Sequence, residues 1–414
     1  MPGIAVTHAA APSPVREVRR RGTDPIPLAS PEVPEEDRQR VLDILSGRTL
    51  SLGPMVPAFE EAVAAAAGTR FAVAVNSGTS ALHLAVKAAG IGEGDEVITT
   101  PFSFVASANC ALYERAIPRF ADIDIHTYNI DPARISAAIN ANTRAILPVH
   151  VFGRPCDMSA IGSLAARHGL GVIEDACEAI GATFGNRRVG GFGQSGTFAF
   201  YPNKQITTGE GGALVTNDES VARLCRSLRN QGRAEGSAWL QHERLGYNYR
   251  LSDIHCALGL GQISRLEQIL KIRRQVAGTY QHMLSSIPAV IPPPLDSEGV
   301  GISWFVYVVR LQDEFTREHR DQVLQALRSE GIECSNYFAP IHLQTFYRQK
   351  FGFRRGDFPV TEHVADRTIA LPFFNTLSAA QIQIVTAALS RAIAGLSRWK
   401  VSASRPLRVA SAPP

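Results

Sequence analysis

The stretch FAVAVNSGTSALHLAVKAAG, residues 71–90, contains a complete strand–turn–helix unit. Its first five residues are continuously apolar, which predicts a buried strand. The turn NSGT follows, and SALHLAVKAA then shows the apolar spacing of a helix that ends at Gly90. A buried strand followed directly by a helix is the repeating unit of an α/β fold, so this stretch favours that fold class.

Outward from this unit, short apolar runs alternate with segments of helical spacing. Two helices are predicted before it, in PEEDRQRVLDIL and PAFEEAVAAAAG. The later apolar runs are DEVITT, PRFADI, RAILPVHV, GLGVIED, GTFAFY and GALVTN, and the helical segments between them include PARISAAINANT and MSAIGSLAARHG. This alternation predicts a mostly parallel central sheet with helices on both faces.

The pattern changes after residue 250. One long helical stretch runs from Ser252 to Leu284, and three prolines at 292–294 mark a boundary. A strand, FVYVVRL, and two helices, REHRDQVLQALRSEG and AAQIQIVTAALSRAI, follow it. We therefore predict a large domain with a helical extension over residues 26–290, a smaller C-terminal α+β domain over 291–400, and tails at 1–25 and 401–414.

Composition excludes several classes of protein. The 414 residues carry a net charge of +4, which is too small at this length to indicate binding to nucleic acid or to a membrane surface. No apolar stretch approaches the roughly 18 residues of a membrane span, and no signal peptide is evident. Six scattered cysteines without a C-x-x-C pair indicate reduced thiols. We expect a cytoplasmic protein.

The run GFGQSG, residues 191–196, matches the G-x-G-x-x-G fingerprint of dinucleotide-binding enzymes. That fingerprint requires a strand before it and a helix after it, so that the pyrophosphate meets a helix N-terminus. Here a polar loop precedes the run and the strand TFAFY follows it. The inverted order argues against a nicotinamide-dependent dehydrogenase.

Lys204 lies where the apolar strand of FAFYPNKQITTGEGG, residues 198–212, meets a glycine-rich turn. A lysine there can form a Schiff base with pyridoxal 5′-phosphate (PLP), whose ring withdraws electrons from a substrate carbanion. PLP also needs a carboxylate at its ring nitrogen, N–H groups for its phosphate and an aromatic against its ring. The candidates are Asp175, the turn residues Ser77, Gly78 and Thr79, and Phe104.

Each of these residues also has a structural interpretation when it is taken alone. Lys204 fits a surface lysine at a strand end, and Asp175 fits an N-cap for the segment that follows it. The NSGT turn fits an ordinary βα connection with a capping residue, and Phe104 fits a packed core side chain. The combination, rather than any single residue, indicates a PLP site.

The chain resembles the DegT/StrS-type nucleotide-sugar aminotransferases, which are fold-type I PLP-dependent enzymes. The resemblance runs from about residue 26 to 393. It rests on motifs that occur in the family's order: NSGTSALHLA, GDEVITTPFSFVASAN, FADIDIHTYNIDP, ILPVHVFGRPCDM, VIEDACEAIGA, FYPNKQITTGEGG and GYNYRLSDIHCALGLGQ.

The resemblance implies a role for each matching residue. Lys204 would be the Schiff-base lysine and proton carrier, Asp175 would face the pyridine nitrogen, and Phe104 would cover the ring. Ser77, Gly78 and Thr79 would hold the phosphate. Asn248 would reach the phosphate in the neighbouring subunit, which implies a homodimer with shared sites. The alternative for Asn248 is a local cap of the helix that begins near Ser252.

Two positions depart from the family's pattern. Ala199 stands where many members have a phosphate-binding serine, so that contact is missing or is supplied by Asn203 or Ser195. Glu178 stands where glutamine or histidine is common beside the phenolic oxygen of PLP. A carboxylate there would repel that oxygen, so we expect Glu178 to be protonated or turned towards substrate.

Members that resemble perosamine synthases share this glutamate and the NK-x-ITTGEGG run, which favours amination at C4 of a 4-keto-6-deoxy sugar nucleotide. Glutamate or glutamine is the expected amino donor. A keto-cyclitol is the alternative substrate. A non-catalytic regulator with a PLP fold is a third possibility, but such a protein is expected to lack the lysine that is present here as Lys204.

Overall fold

The computed structural model describes residues 25–233, 236 and 241–396. The predicted tails, 1–25 and 401–414, lie outside these residues apart from Pro25. The α-helices of the described part are α1 (Glu35–Leu45), α2 (Met55–Ala67), α3 (Gly78–Ala88), α4 (Ala106–Tyr113), α5 (Pro132–Ala138), α6 (Met158–His168), α7 (Glu219–Arg229), α8 (Asp253–Ser264), α9 (Leu266–Leu284), α10 (Arg317–Ser329), α11 (Thr345–Phe351), α12 (Pro359–Ala365) and α13 (Ala379–Ala394).

The strands of the described part are β1 (Phe71–Val75), β2 (Glu96–Thr99), β3 (Ile117–Phe120), β4 (Thr143–Ile146), β5 (Gly171–Asp175), β6 (Thr183–Phe184), β7 (Arg187–Arg188), β8 (Ser195–Ala199), β9 (Gly212–Thr216), β10 (Val290–Ile291), β11 (Val300–Gly301), β12 (Tyr307–Leu311) and β13 (Thr368–Leu371). Short 3₁₀ turns cover Val151–Gly153 and Ile341–Leu343.

The central sheet has seven strands in the order β1-β9-β8-β5-β4-β2-β3. Strand β9 pairs antiparallel with both of its neighbours, and the other pairings are parallel. Each apolar run predicted as a strand between residues 71 and 216 contributes one strand of this sheet. The prediction of a mostly parallel sheet is therefore confirmed.

Helices cover both faces of the sheet, as predicted. In β1, Val73 and Val75 pack with side chains of α3, α4 and α7, whereas Ala72 and Ala74 pack with side chains of α2, α8 and α9. Successive side chains of a strand point to opposite faces, so one apolar run serves two cores. This double burial explains why the run FAVAV is apolar without alternation.

A second core forms at the C-terminal end of the chain. The antiparallel strands β10, β12 and β13 pack with α10 and α13, and the later turns of α9 join them through Val276 and Tyr280. Ile26 pairs with Ile332 and belongs to the same core. The domain boundary near residue 290 stays a prediction. No helix in the described part of the chain is long and apolar enough to cross a membrane.

The GFGQSG run connects β7 to β8 and does not open a helix. The N–H groups of Gly190, Phe192 and Gly193 donate to the buried carboxylate of Glu174, at 2.7, 2.6 and 2.8 Å. His150 also contacts this carboxylate, 3.1 Å away. The glycines therefore fold a loop around a protein carboxylate, which anchors β5 next to its last residue, Asp175.

Candidate active site

A cavity of about 1560 Å³ opens at the carboxyl ends of the parallel strands, where open α/β sheets bind their ligands. Eight of the nine site residues named from the sequence line it, namely Ser77, Gly78, Thr79, Phe104, Asp175, Glu178, Asn203 and Lys204. The ninth, Asn248, does not line this cavity of its own chain. The roles of these residues stay predictions. The fold shows that eight of them lie in one cavity.

Lys204 enters the cavity from a turn that follows β8. Its backbone N–H donates to the carbonyl of Tyr201 at 2.9 Å, which closes the turn. Its side chain is 13% exposed, and Nζ lies 3.9 Å from Oε1 of Glu178. The same Nζ lies 3.9 Å from the ring centroid of Phe305. The interpretation of Lys204 as a solvated surface lysine is therefore wrong.

Glu178 is almost completely buried, with 5% of its surface exposed. Burial raises the pKa of Glu178 to about 7, and Asp175 acts in the same direction, although Lys204 and the N–H of Phe152 oppose the shift. That N–H donates to Oε2 at 2.9 Å. Burial therefore favours the neutral form of Glu178, the form in which a carboxyl tolerates a phenolic oxygen nearby.

Asp175 is the last residue of β5 and is buried. Its Oδ2 accepts from Ser107 Oγ at 2.7 Å, and its Oδ1 accepts from the N–H of Cys177 at 3.1 Å. The bond to the N–H two residues ahead is a capping contact for the segment after β5, although this segment is not a helix, because the next helix in the described chain is α7. A buried, doubly hydrogen-bonded carboxylate suits a protonated ring nitrogen, because opposite charges in a dry site favour the charged forms.

The turn between β1 and α3 provides a helix N-terminus in the cavity. Ser77 is the N-cap of α3, and its Oγ accepts from the N–H of Ser80 at 3.1 Å. A Cβ at Gly78 would lie 2.7 Å from Cβ of Ala199, and a Cβ at Gly212 would lie 2.6 Å from N of Gly78. Both glycines are required by close approach, and Gly78 lines the cavity at the N-terminus of α3, where backbone N–H groups suit a phosphate.

Asn203 and Ser195 are the two candidates for the phosphate contact that Ala199 cannot make, and the structure distinguishes between them. Ser195 begins β8 and Ala199 ends it, so the two lie about 13 Å apart along the strand, and the suggestion that Ser195 supplies the contact is wrong. Asn203 lines the cavity, and its buried Oδ1 has no hydrogen-bond partner among the described residues. An amide oxygen only accepts, and so do the oxygens of a phosphate dianion, so Asn203 would have to reach the phosphate through its Nδ2 donor.

Phe104 is 62% exposed at the wall of the cavity. Its interpretation as a core residue is therefore wrong, and its ring is available to a ligand. Together with Lys204, Asp175 and the turn at Gly78, this residue completes the set that PLP requires. The residues present fit PLP by charge, by the helix N-terminus and by the exposed aromatic ring in one cavity.

Sequence reasoning missed two residues that shape the site. Phe305 lies in a bend two residues before β12, about a hundred positions from Lys204, and nothing in WFVYVV distinguishes it from a core residue. Ser107 lies in the quoted motif PFSFVASAN, in the first turn of α4, and no local pattern connects it with Asp175.

Asn248 is exposed in a segment that pairs with Asn230. The N-cap of α8 is Ser252, whose Oγ accepts from the N–H of His255. The alternative in which Asn248 caps this helix is therefore wrong. Its place outside its own cavity leaves it available to another chain.

Comparisons with known proteins match this chain over most of its length. The sequence profile of the DegT/DnrJ/EryC1/StrS aminotransferase family matches residues 31–390. Spore coat polysaccharide biosynthesis protein SpsC of Bacillus subtilis is 39% identical over 380 residues, which cover 89% of this chain and 97% of that protein. GDP-perosamine synthase of Caulobacter vibrioides is 38% identical over 370 residues, which cover 89% of this chain and 98% of that protein.

One solved structure gives the same result in three dimensions. Helicobacter pylori PseC, described as an aminotransferase involved in the biosynthesis of pseudoaminic acid, superposes with a TM-score of 0.85 at 29% identity. The superposition covers 90% of this chain and 100% of that chain.

Proposed function

Because the chain belongs to the DegT/DnrJ/EryC1/StrS family and is a PLP-dependent sugar aminotransferase, we propose that its substrate is a keto sugar linked to a nucleotide. The proposed reaction is amination at C4 of a 4-keto-6-deoxyhexose, with glutamate or glutamine as the donor. The observation that carries the proposal is the shielded Lys204 amine, placed between Glu178 and Phe305 in a cavity that also contains Asp175.

Different residues of the chain carry out different parts of the reaction. When bound, PLP supplies an aldehyde that carries the amino group and a ring that withdraws electrons. Lys204 removes the proton from Cα of the amino donor and later returns a proton at C4 of the sugar. Asp175, fixed by Ser107 and the N–H of Cys177, holds a proton at the ring nitrogen.

Glu178 acts beside this lysine. Its pKa of about 7 allows the carboxyl to exist in either protonation state at neutral pH, and it lies 3.9 Å from the amine. As a neutral acid it donates a hydrogen bond to an oxygen in the cavity, and as a carboxylate it stabilises the ammonium form of Lys204. The apolar rings of Phe305 and Phe338 exclude water from the same wall.

The outer part of the cavity supports a nucleotide-linked substrate. Tyr113 and Phe346 line it with exposed aromatic rings. Lys350 adds positive charge, whereas Arg115 lies 3.2 Å from Glu93, a carboxylate that lines the same cavity. Exposed aromatic rings offer stacking surfaces for a base, and a lysine suits a phosphate. A free cyclitol would use neither feature, so this geometry favours the nucleotide-linked sugar.

Amination at C4 rests on resemblance to a named relative. GDP-perosamine synthase of Caulobacter vibrioides carries a nucleotide-linked amino sugar in its name. The glutamate at 178 and the run NKQITTGEGG are the features through which this chain resembles the perosamine synthases. We therefore place 4-keto sugar nucleotides ahead of 3-keto sugar nucleotides as substrates.

The test is to incubate the holoenzyme with glutamate, then with glutamine, and with a panel of 4-keto and 3-keto sugar nucleotides and keto-cyclitols. Mass spectrometry detects the amino product, and Lys204→Ala serves as the control. We expect an amino product from a 4-keto-6-deoxy sugar nucleotide. Product from a keto-cyclitol alone, or from 3-keto substrates alone, would contradict the proposal.

A further inference from the structure

The segment Tyr247–Tyr249 is extended and has two different faces. Its backbone pairs with the end of α7: the N–H groups of Tyr247 and Tyr249 donate to the carbonyls of Leu228 and Arg229 at 2.6 and 3.0 Å. The rings of Tyr247 and Tyr249 stack on one face, with centroids 4.8 Å apart and 9° between planes. Because side chains alternate along an extended segment, Asn248 lies on the opposite face, where it is exposed.

Polar side chains of α3, together with Glu114 at the end of α4, bind the hydroxyl groups of the two tyrosines. His83 Nδ1 lies 3.0 Å from the hydroxyl of Tyr249, and His83 Nε2 lies 2.7 Å from Oε1 of Glu114. The hydroxyl of Tyr247 donates to the same Glu114 oxygen at 3.1 Å. Lys87 donates to the other oxygen of Glu114 at 2.7 Å. Every polar group that reaches the tyrosine pair is therefore matched by a partner.

The direction of each bond follows from the acceptor. A carboxylate only accepts, so His83 donates from Nε2 to Glu114 and Tyr249 donates to Nδ1. Burial lowers the pKa of His83, although the hydrogen bond that His83 donates to Glu114 raises it, and the lowered pKa agrees with a neutral ring. A neutral imidazole with one donor and one acceptor in use fixes both partners in place.

The cluster also connects this segment to the cofactor turn. The N–H of Asn76, directly before Ser77, donates to the carbonyl of Tyr249 at 2.9 Å. His83 and Lys87 lie on α3, the helix whose first turn contains Gly78 and Thr79. The segment and the phosphate turn are thus parts of one rigid hydrogen-bonded unit, although Asn248 itself faces away from its own cavity.

We propose that His83 and Glu114 are positioning residues that hold Tyr247 and Tyr249 against α3, so that Asn248 is presented to the cofactor phosphate in a second copy of the chain. This inference rests on the shared-site assignment of Asn248. The backbone bonds to Leu228, Arg229 and Asn76 fix the register of the segment. The bonds of the two tyrosine hydroxyls to His83 and Glu114 fix the rings against α3, and with them the direction in which the opposite face points.

The test measures how strongly PLP is retained when the holoenzyme is diluted. Asn248→Ala should weaken retention about tenfold, as expected for loss of a hydrogen bond to a charged group. Tyr249→Phe, which leaves His83 Nδ1 without its donor, should weaken it about threefold. The matched control is Tyr280→Phe, which removes a buried hydroxyl bonded to Pro372 in the C-terminal core and should leave retention unchanged.

Thermal unfolding of each apoprotein separates positioning from stability. If Tyr249→Phe lowers Tm as Tyr280→Phe does but retains PLP normally, the cluster is only structural and the proposal is overturned. If Asn248→Ala itself retains PLP normally, the assignment of Asn248 fails and the proposal fails with it. Neither result bears on transfer to a sugar, which the substrate panel tests independently.

A mixing experiment shows in which chain the defect acts. Tyr249→Phe chains are exchanged with Lys204→Ala chains, and PLP is fixed to Lys204 by borohydride after dilution. If the tyrosine acts through Asn248 on the partner's site, every Lys204 in a mixed dimer faces an intact Asn248 segment, and retention returns to the wild-type level. Retention that stays low would locate the defect in the chain's own phosphate turn and overturn the proposal.

Discussion

The Nζ of Lys204 lies 3.9 Å from Oε1 of Glu178, and both side chains are largely shielded from solvent. The pair places a carboxyl with a pKa of about 7 beside the amine that must gain and lose a proton. Asp175, which is also buried, keeps its carboxylate engaged with Ser107. Asp175 and Glu178 therefore lie in different environments, and for this reason we assign them different roles.

Lys204→Ala should abolish both turnover and covalent attachment of PLP, because the alanine carries no amine. The purified wild-type protein should be yellow, and the variant should lose that absorbance band. The control is Lys271→Ala, which removes an exposed lysine on α9 and should change neither property. A borohydride-reducible adduct that persists in the active site of Lys204→Ala would show that the lysine has been assigned wrongly.

Asp175→Asn should bind PLP and lose most of its turnover, since an amide cannot hold a proton on the ring nitrogen. The expected loss is about 2.7–4 kcal/mol of transition-state stabilisation, measured from kcat. Ser107→Ala is the matched control, because it keeps the carboxylate and removes one donor, and it should cost about 1 kcal/mol. Near-wild-type turnover in Asp175→Asn would mean that the carboxylate has only a structural role.

Glu178→Gln should be tolerated, with kcat/KM changed only mildly. Glutamine keeps the size of the side chain, and its amide donates a hydrogen bond as the neutral acid does. Assays with the preferred sugar nucleotide measure the change. Complete loss of activity would instead assign Glu178 a specific role in handling the sugar.

Glu178→Gln should also change how the stability of the apoprotein depends on pH. The pKa of Glu178 is raised by burial from 4.5 to about 7, so the folded chain holds this proton more tightly than the unfolded chain. Its contribution to stability is therefore complete below about pH 4.5 and is lost as pH rises through about 7. Relative to that of wild type, the free energy of unfolding of Glu178→Gln should rise by up to about 3 kcal/mol as the pH increases between these limits. A pH-independent difference in denaturation would contradict the assignment.

Shared sites predict complementation between two defective chains. Asn248→Asp places a negative charge where phosphate is expected, and Lys204→Ala lacks the amine. In a mixed dimer with shared sites, one site carries both defects and the other carries neither. Subunit exchange in an equal mixture should therefore restore roughly a quarter of wild-type activity. No recovery after demonstrated exchange would leave Asn248 without a role in the partner's site.

The sequence predicted the central sheet because most of its strands lie in short apolar runs that are buried on two faces, although β3 alternates between exposed and buried residues. It did not show that β9 runs antiparallel, since strand direction depends on connections that the run GALVTN does not encode. The predicted helix from Ser252 to Leu284 divides at Arg265 into α8 and α9, although the apolar spacing continues through it.

At the site, residues within one strand–turn unit could be predicted, and contacts between distant segments could not. The turn at Gly78 and the strand end at Asp175 follow from local patterns. The placement of Phe305 against Lys204 depends on how the C-terminal part of the chain folds back, which no local pattern reveals. The cluster of His83 with Tyr249 joins positions 166 apart and was equally invisible.

Transfer of the amino group from the donor to the sugar nucleotide is tested most directly with labelled nitrogen. The holoenzyme is incubated with glutamate labelled in its α-amino nitrogen and, separately, with amide-labelled or α-labelled glutamine, each with a 4-keto-6-deoxy sugar nucleotide. We predict that the α-amino label appears at C4 of the sugar nucleotide, as measured by mass spectrometry, and that Lys204→Ala gives no labelled product. Consumption of the label without a labelled sugar nucleotide, or transfer that survives in Lys204→Ala, would contradict it.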